Sequence, residues 1–127
     1  MKLTDSLIFD ERKLIPAVIQ DDVSGQVLTL CYMNREALDR TLETGLVHVF
    51  RRSAGRLMMK GETSGHTQTV KSIYLDCEGK SLLIRVDQKI AACHKNYFTC
   101  YYREYDRATG ELTIQGKPVE EADKLNS

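Results

Sequence analysis

The chain has 127 residues, of which 42% are hydrophobic, and this is enough to fill the core of one ordinary domain. Its 18 basic and 18 acidic residues give a formal net charge of +0, which excludes a broad electropositive face for a nucleic acid polymer or an anionic membrane. No apolar run approaches the roughly 20 residues that span a bilayer. Acidic residues stand where a signal peptide would have its apolar core, so we expect a cytoplasmic protein.

Apolar, β-branched runs predict most of the chain to be strands that pair through short turns. The first pair is joined by DDVSG, whose Asp and Gly residues favour a hairpin turn, and two further pairs are joined by CEGK and RATG. The strands expected are 14–20 with 26–33, a separate strand at 46–52, 69–76 with 81–87, and 100–106 with 111–114.

One helix is predicted with clear ends. The sequence NREALDRTLETG supplies Asn34 as an N-cap and Gly45 as a stop, with Ala37, Leu38 and Leu42 on one face. The tail PVEEADKLNS is expected to form a short exposed helix or to fray. No internal repeat or interdomain linker interrupts 1–127, so we expect a single compact α+β domain, mainly antiparallel strands with one clear helix.

Two of the four cysteines, Cys93 and Cys100, lie seven residues apart with His94 beside the first. Grouped cysteines in a cytoplasmic protein bind metal or do chemistry more often than they form disulfides. To share one zinc ion, the segment HKNYFT must fold back, because a helix would separate the two cysteines by about 10 Å along its axis and a strand by over ~20 Å. A third sulfur would come from Cys77 or Cys31, and Cys31, in an apolar run, is expected to be a buried core residue.

The segment LDCEGK places a thiol between two carboxylates at the end of a predicted strand. Strand alternation would send Asp76 and Glu78 to one face and Cys77 to the other, so one segment could contribute to two sites. Three cysteines would leave an open zinc position for water, as a catalytic zinc requires. The plainer interpretation, unrelated core cysteines and a solvated turn, stays equally open on spacing alone.

A second polar stretch, RRSAGRLMMKGETSGHTQ, has the composition of an anion-binding segment. Glycines let backbone N–H groups approach an anion, hydroxyls donate to phosphate oxygens, and arginine grips them in pairs. The alternative is a flexible polar loop between strands. The stretch has neither the Walker A order nor a G-x-G-x-x-G pattern. The candidates for binding a phosphorylated small molecule are Arg51, Arg52, Lys60, Thr63, Ser64 and Gly65.

In order and spacing, LIPAVIQDDVSGQVLTLCYMNREALDRTLETG, the KGETSGH stretch, LDCEG, ACH and Cys100 resemble the phosphoribosyl-AMP cyclohydrolase family of histidine biosynthesis. The resemblance covers residues 10–106 and leaves 107–127 as an extension. It implies a homodimer that uses zinc and magnesium to open the purine ring of N1-(5-phosphoribosyl)-AMP by adding water at C6. It also implies that Cys77 of one chain joins Cys93 and Cys100 of the other at zinc.

The resemblance assigns roles to further residues. His94, beside a predicted zinc ligand, is the first candidate for the proton carrier, since imidazoles exchange protons near neutral pH. The alternative is that His94 only orients Cys93. His66 is the second candidate, His48 a weaker third, and Glu62 takes or orients a proton. The six residues of the polar stretch would hold phosphates and ribose hydroxyls.

Several positions depart from the family pattern. The family's magnesium segment has aspartates at alternate positions, whereas this chain has Asp76, Glu78 and then Lys80, whose ammonium cannot coordinate magnesium. Lys95 and Asn96 replace a Thr-Gly pair, and the chain has no tryptophan. These changes keep open a paralogue that acts on another nucleotide or purine-like ring. A zinc-binding module without turnover and a structural zinc staple are the remaining alternatives.

Overall fold

The structure of the protein, a computed structural model, describes residues 1–119. Most of the predicted tail, 120–127, lies outside the described residues. In chain order the elements are α1 (Leu3–Ser6), β1 (Ile15–Asp21), β2 (Val27–Met33), α2 (Arg35–Thr44), β3 (His48–Arg51), β4 (Arg56–Met59), β5 (Gln68–Leu75), β6 (Leu82–Gln88), β7 (Arg103–Asp106) and β8 (Glu111–Ile114).

A four-stranded sheet in the order β2-β1-β6-β5 forms the centre of the fold. The β1–β2 and β5–β6 hairpins are antiparallel, as predicted from their turn sequences. Alternate residues of β1, among them Ile15, Ala17 and Ile19, are fully buried, because the strand is paired on both edges and packs one face into the core. The parallel pairing of β1 with β6 was not predicted. The α+β class with mainly antiparallel strands is confirmed.

Helix α2 has both of its predicted ends. The Asn34 side chain accepts a hydrogen bond from the Ala37 N–H at 2.8 Å, and Gly45, with φ of 76°, ends the helix by donating to the Thr41 carbonyl at 2.9 Å. The buried face consists of Ala37, Leu38 and Thr41, whereas Leu42, predicted on that face, is exposed. Neither helix within residues 1–119 has the length and apolar character needed to cross a membrane.

The polar stretch 51–68 is not one loop, because β4 lies within it and pairs with β3. The β3–β4 hairpin packs against α2 through Thr41, whose hydroxyl accepts from the His48 N–H at 2.9 Å. Strand β3 is shorter than the predicted 46–52. The hairpin therefore carries the start of the polar stretch on a rigid element and leaves residues 60–67 as the turn that follows β4.

The last hairpin, β7–β8, forms a separate two-stranded sheet. Its first strand begins later than the predicted 100–106, because the Cys100 N–H donates to the Leu28 carbonyl at 2.7 Å and holds that residue beside β2. Tyr105 and Leu112 face each other across the hairpin, and both are exposed. The hairpin thus extends from the edge of the domain with an apolar face uncovered within one chain.

Candidate active site

A cavity of about 540 Å³ opens between β2, the β3–β4 hairpin and the segment that follows β6. Its volume is in the range of small-molecule sites, roughly 300–1,000 Å³. The predicted site residues that line it are Arg51, Arg52, Lys60, Glu62, Thr63, Ser64, His66, Cys93, His94 and Cys100. Four predicted residues do not line it, namely Gly65, Asp76, Cys77 and Glu78.

The turn after β4 positions His66 through a close backbone approach. Gly61 has a φ of 84°, and a Cβ at this position would lie 2.5 Å from the carbonyl carbon of His66. The Gly65 N–H donates to the Gly61 carbonyl at 2.8 Å, which closes the turn. Only glycine fits at position 61, since any side chain would push His66 away from the cavity.

The three histidines have different surroundings. His66 Nδ1 lies 3.1 Å from the Ala91 carbonyl, and its ring lines the cavity. His94 is exposed at the cavity, and among residues 1–119 no side chain or backbone group hydrogen-bonds to its ring. His48 is buried outside the cavity with Nδ1 2.8 Å from the Leu46 carbonyl, so it serves the structure of β3. The cavity therefore offers His66 and His94 to a ligand.

The segment HKNYFT folds back, as a shared site for Cys93 and Cys100 requires. The Cys93 N–H donates to the Tyr97 carbonyl at 3.1 Å, and the Asn96 N–H donates to the Cys93 carbonyl at 2.8 Å. Asn96 has a φ of 68°, a left-handed conformation that asparagine tolerates. Cys93 and Cys100 both line the cavity, and burial, with the Cys93 thiol as a further cause, raises the pKa of Cys100.

Cys93 receives a second contact, because the Lys95 N–H donates to its sulfur at 3.4 Å. Cys93 itself is buried within the chain. The pair Cys93 and Cys100 thus provides two soft ligands whose geometry is set by the backbone of one short loop.

Cys77 is not close to this pair. It is exposed in the turn between β5 and β6, whereas Cys93 follows the opposite end of β6. The seven residues of β6 extend for about 20 Å. Within residues 1–119, no group of three or more His, Cys, Asp or Glu side chains is placed to hold a metal ion. One copy of the chain therefore supplies at most two of the three predicted zinc ligands at the cavity.

The turn that contains Cys77 is closed by the Asp76 carboxylate. One oxygen accepts from the Lys80 N–H at 2.8 Å and the other from the Ser81 hydroxyl at 2.7 Å. These bonds, that of Ser81 first, lower the pKa of Asp76. The Lys80 ammonium lies 3.4 Å from the Glu78 carboxylate. Both predicted magnesium ligands are thus engaged by neighbours in the turn.

Lys60 and Cys31 line the same cavity. Cys31, expected in the core, packs against the core cluster as a partly buried residue, and it also lines the cavity. Burial raises the pKa of Cys31 to about 12, while the Lys60 ammonium acts to lower it. The positive charge of the Lys60 ammonium also acts to lower the pKa of Cys100. Lys60, predicted from the sequence to bind phosphate, therefore lines the same cavity as these thiols.

Two contacts made by lining residues of the cavity were not predicted from the sequence. The Arg52 guanidinium lies 3.9 Å above the centre of the Tyr32 ring, which fixes the direction of the guanidinium. Arg56 pairs with Glu62 at 3.2 Å. Tyr32 belongs to an ordinary apolar strand, so no local pattern distinguishes it. The position of Arg56 opposite Arg51 in a hairpin could have been found only by recognising β4.

Comparison with known proteins agrees with these features. The family model described as phosphoribosyl-AMP cyclohydrolase matches residues 29–102. The chain is 49% identical over 115 residues to the phosphoribosyl-AMP cyclohydrolase of Methanosarcina barkeri, covering 91% of this chain and 85% of that protein. It is 51% identical over 108 residues to the enzyme of the same name from Haloarcula marismortui, covering 84% and 90%.

A third relative, the histidine biosynthesis bifunctional protein HisIE of Caldanaerobacter subterraneus, is 52% identical over 103 residues, which are 81% of this chain and 50% of that protein. The chain thus spans about half the length of this bifunctional relative. The matched residues 29–102 contain all the residues that line the cavity. The chain belongs to the phosphoribosyl-AMP cyclohydrolase family.

Proposed function

We propose that the protein is a phosphoribosyl-AMP cyclohydrolase of histidine biosynthesis, which adds water at C6 of N1-(5-phosphoribosyl)-AMP and breaks the N1–C6 bond. The observation that carries the proposal is the convergence of Cys93, Cys100, His66 and His94 on one cavity in a chain of this family. An adenine substituted at N1 is electron-poor at C6, so the enzyme mainly has to position water and move protons.

In the proposal, different residues of the cavity wall bind the phosphates and the purine of the substrate. Arg51 and Arg52 lie at one side of the cavity, and the Thr63 and Ser64 hydroxyls lie in the turn after β4. In the proposal these four residues hold phosphates and ribose hydroxyls. Gly65 takes part by closing the turn, since it does not line the cavity. The purine would then lie toward Cys93 and Cys100.

The proton carrier in this proposal is His94. It is exposed at the cavity and follows Cys93 directly, so its ring can reach both the solvent and a purine held near the thiols. His66 accepts a hydrogen bond from the attacking water through Nε2. Glu62 orients the turn, because one of its oxygens pairs with Arg56 and the other accepts from the Met59 N–H at 3.4 Å.

Zinc suits the donor set of Cys93 and Cys100, because both are thiols, both line the same cavity, and the backbone of one short loop holds them. Bound there, zinc would lower the pKa of a water molecule and supply a nucleophile near neutral pH. The third ligand in the proposal is Cys77 of a second copy. The chain's own contribution is to hold two sulfurs on a loop fixed by its backbone.

The proposal includes a homodimer, because Cys77 of the same copy does not line the cavity. The proposal also gives the second copy a surface to cover, the apolar face of the β7–β8 hairpin. On that face Tyr105, Leu112 and Ile114 are 59%, 58% and 64% exposed. A two-stranded hairpin is marginally stable alone, and a contiguous exposed apolar face usually marks a contact with another chain. The hairpin follows Cys100 directly, so a partner there would be close to the cavity.

Magnesium does not suit the Asp76–Lys80 turn as this structure arranges it. Both oxygens of Asp76 accept hydrogen bonds within the turn, and Glu78 is paired with Lys80. A divalent cation would have to displace an ammonium that already supplies positive charge. We therefore propose that Lys80 takes the place of magnesium in this chain, and no step of the reaction is assigned to magnesium.

The test is an ultraviolet assay of ring opening with the zinc-loaded protein and N1-(5-phosphoribosyl)-AMP. Rapid turnover is expected, and Cys93→Ser protein serves as the negative control. Absence of turnover at full zinc occupancy would contradict the proposal. It would favour the second candidate, a paralogue that acts on a different nucleotide or purine-like ring, which the Lys80 and Lys95-Asn96 changes support. Zinc retention with no turnover of any N1-substituted purine would instead indicate a zinc-binding module.

A further inference from the structure

Two buried glutamines, Gln68 and Gln88, lie behind the wall of the cavity. They are the first residue of β5 and the last of β6, and they face each other in the antiparallel register. Gln68 is 0% and Gln88 7% exposed, and Gln68 Nε2 donates to Gln88 Oε1 at 2.7 Å. Within residues 1–119, Gln68 Oε1 has no partner. Since an apolar pair would fill this space without an unsatisfied oxygen, packing does not explain the two amides.

The Gln88 amide group holds the turn that follows β6. Its Nε2 lies 3.0 Å from the Lys89 carbonyl and 3.3 Å from the Ala91 carbonyl. Between these two residues, Ile90 has a φ of 67°, a left-handed conformation that a β-branched residue rarely adopts. Strained backbone of this kind persists only where the surroundings determine it. The buried Gln88 amide holds Ile90 in this conformation through its contacts with the Lys89 and Ala91 carbonyls.

The Ala91 carbonyl joins this network to the cavity. It accepts from Gln88 Nε2 with one lone pair, and His66 Nδ1 lies 3.1 Å from the same oxygen. Because a carbonyl oxygen only accepts, Nδ1 of the neutral His66 ring carries the proton. Nε2 is then unprotonated, and no group within residues 1–119 hydrogen-bonds to it. The ring thus presents an acceptor to the cavity.

We propose that Gln88 is a positioning residue, which fixes the tautomer and direction of the His66 ring through the shared Ala91 carbonyl. Gln68 sets the direction of the Gln88 amide, since a flipped amide would place two NH₂ groups against each other. Only the predicted effect of Gln88 on turnover rests on the proposed function. The predicted effect on the His66 tautomer does not. There, His66 Nε2 accepts a hydrogen bond from the water that attacks C6, and the other tautomer would offer that water a donor.

The test replaces Gln88 by the apolar residue of closest shape, in Gln88→Met. Long-range ¹H–¹⁵N spectra of the zinc-loaded protein without substrate report the tautomer of His66, whose signals are assigned by their loss in His66→Ala. We expect the Nδ1–H form in the unmodified protein and a mixture of both tautomers in Gln88→Met. The matched control is Gln20→Met, which removes an amide that donates to the Gly25 carbonyl at 2.9 Å in a distant turn and should leave His66 unchanged.

The kinetic arm uses the same variants with N1-(5-phosphoribosyl)-AMP. Loss of a group that orients a functional histidine typically lowers activity about 10- to 100-fold. We expect this loss in kcat for Gln88→Met, with little change in KM, because substrate contacts remain. If the unmodified protein has no turnover, the proposed function fails, whereas the tautomer measurement still decides the role of Gln88.

The double variant Gln68→Met/Gln88→Met guards against misfolding. Replacing both partners of a buried hydrogen bond by apolar groups of similar shape is nearly neutral for stability. Because the Lys89 and Ala91 carbonyls still lose their donor, this variant should melt below the unmodified protein but no lower than Gln88→Met, and it should still show mixed His66 tautomers. An Nδ1–H form retained in either folded variant, or an Nε2–H form in the unmodified protein, would overturn the proposal.

Discussion

Arg56 and Glu62 form an ion pair of 3.2 Å that closes the turn between β4 and His66. The Arg56 side chain is 59% and the Glu62 side chain 33% exposed, so we expect the pair to stabilise the fold by less than about 1 kcal/mol. Its main effect would be on the shape of the turn. Glu62 is thereby engaged on both oxygens before any ligand arrives.

The first prediction concerns Glu62→Gln. Because the carboxylate is already used within the turn, we expect kcat to fall less than about tenfold, compared with the 10²- to 10⁴-fold that loss of a general acid or base produces. Arg56→Met is the matched variant and should have a similar effect. A hundredfold loss in Glu62→Gln that Arg56→Met does not reproduce would reassign Glu62 to proton transfer.

The second prediction concerns the cysteines. Cys93→Ser and Cys77→Ser should each lose zinc and activity, whereas Cys31→Ala should keep its zinc. If two copies share each site, a reassociated mixture of the two inactive variants contains mixed dimers with one intact site, which restores about a quarter of full activity. Full activity of Cys93→Ser without bound metal, or no recovery on mixing despite dimer exchange, would contradict the shared site.

The third prediction separates the roles of His94. Since its ring is exposed and free of protein partners within residues 1–119, His94→Ala should leave zinc content and melting temperature almost unchanged. We expect turnover to fall by at least about 100-fold if the ring carries the proton. Zinc content is measured by atomic absorption beside the kinetic assay. An equal loss of zinc and turnover would assign His94 to orienting Cys93.

The fourth prediction concerns Lys80. In the unmodified protein, the rate should not change when magnesium is added. It should also not change when magnesium is removed by a chelator that binds zinc only weakly, because the Lys80 ammonium already occupies this turn. Lys80→Asp should make activity depend on magnesium, since three acids then converge on the turn. The matched control is Lys71→Asp, which changes the same charge on β5. A strong magnesium requirement in the unmodified protein would contradict the proposal that Lys80 takes the place of magnesium.

The fifth prediction concerns acid stability. The Ser81 hydroxyl and backbone N–H groups lower the pKa of Asp76 below its usual value, so the folded state favours the carboxylate. The stability that results is present above the unfolded pKa and is lost as pH falls through the folded pKa. Ser81→Ala should shift the Asp76 pKa upward in an NMR titration and bring unfolding to higher pH. An unchanged pKa would mean that the backbone N–H groups of the turn, without the Ser81 hydroxyl, hold the carboxylate.

Much of the fold could be predicted because its signals are local. Asn34 and Gly45 define α2 by the chemistry of helix ends, and DDVSG and CEGK define two hairpins. The strand β4 was missed because Leu57, Met58 and Met59 are not β-branched and sit in a polar stretch. The pairing of β1 with β6 joins segments far apart in sequence, and neither strand carries a mark of its second neighbour.

The sequence predicted side chains of the candidate site, but it did not predict the backbone groups that position them. Cysteines, histidines and arginines reveal their chemistry by type, and ten of the predicted residues line one cavity. The Ala91 carbonyl, which sets the His66 ring, has no sequence signature, because every residue carries a carbonyl. The same holds for the distance from Cys77 to the cavity, which depends on the direction of β6.

The parallel pairing of β1 with β6 also sets the order in which this chain can fold. The β1–β2 hairpin can form as soon as residue 33 is available, but its other edge stays open until β6 has been synthesised. Contacts between such distant segments carry a large loop-closure entropy, and they slow folding relative to local hairpins. Ribosome-bound chains that end before Leu82 should therefore expose β1 as an unpaired edge, prone to associate with other nascent strands.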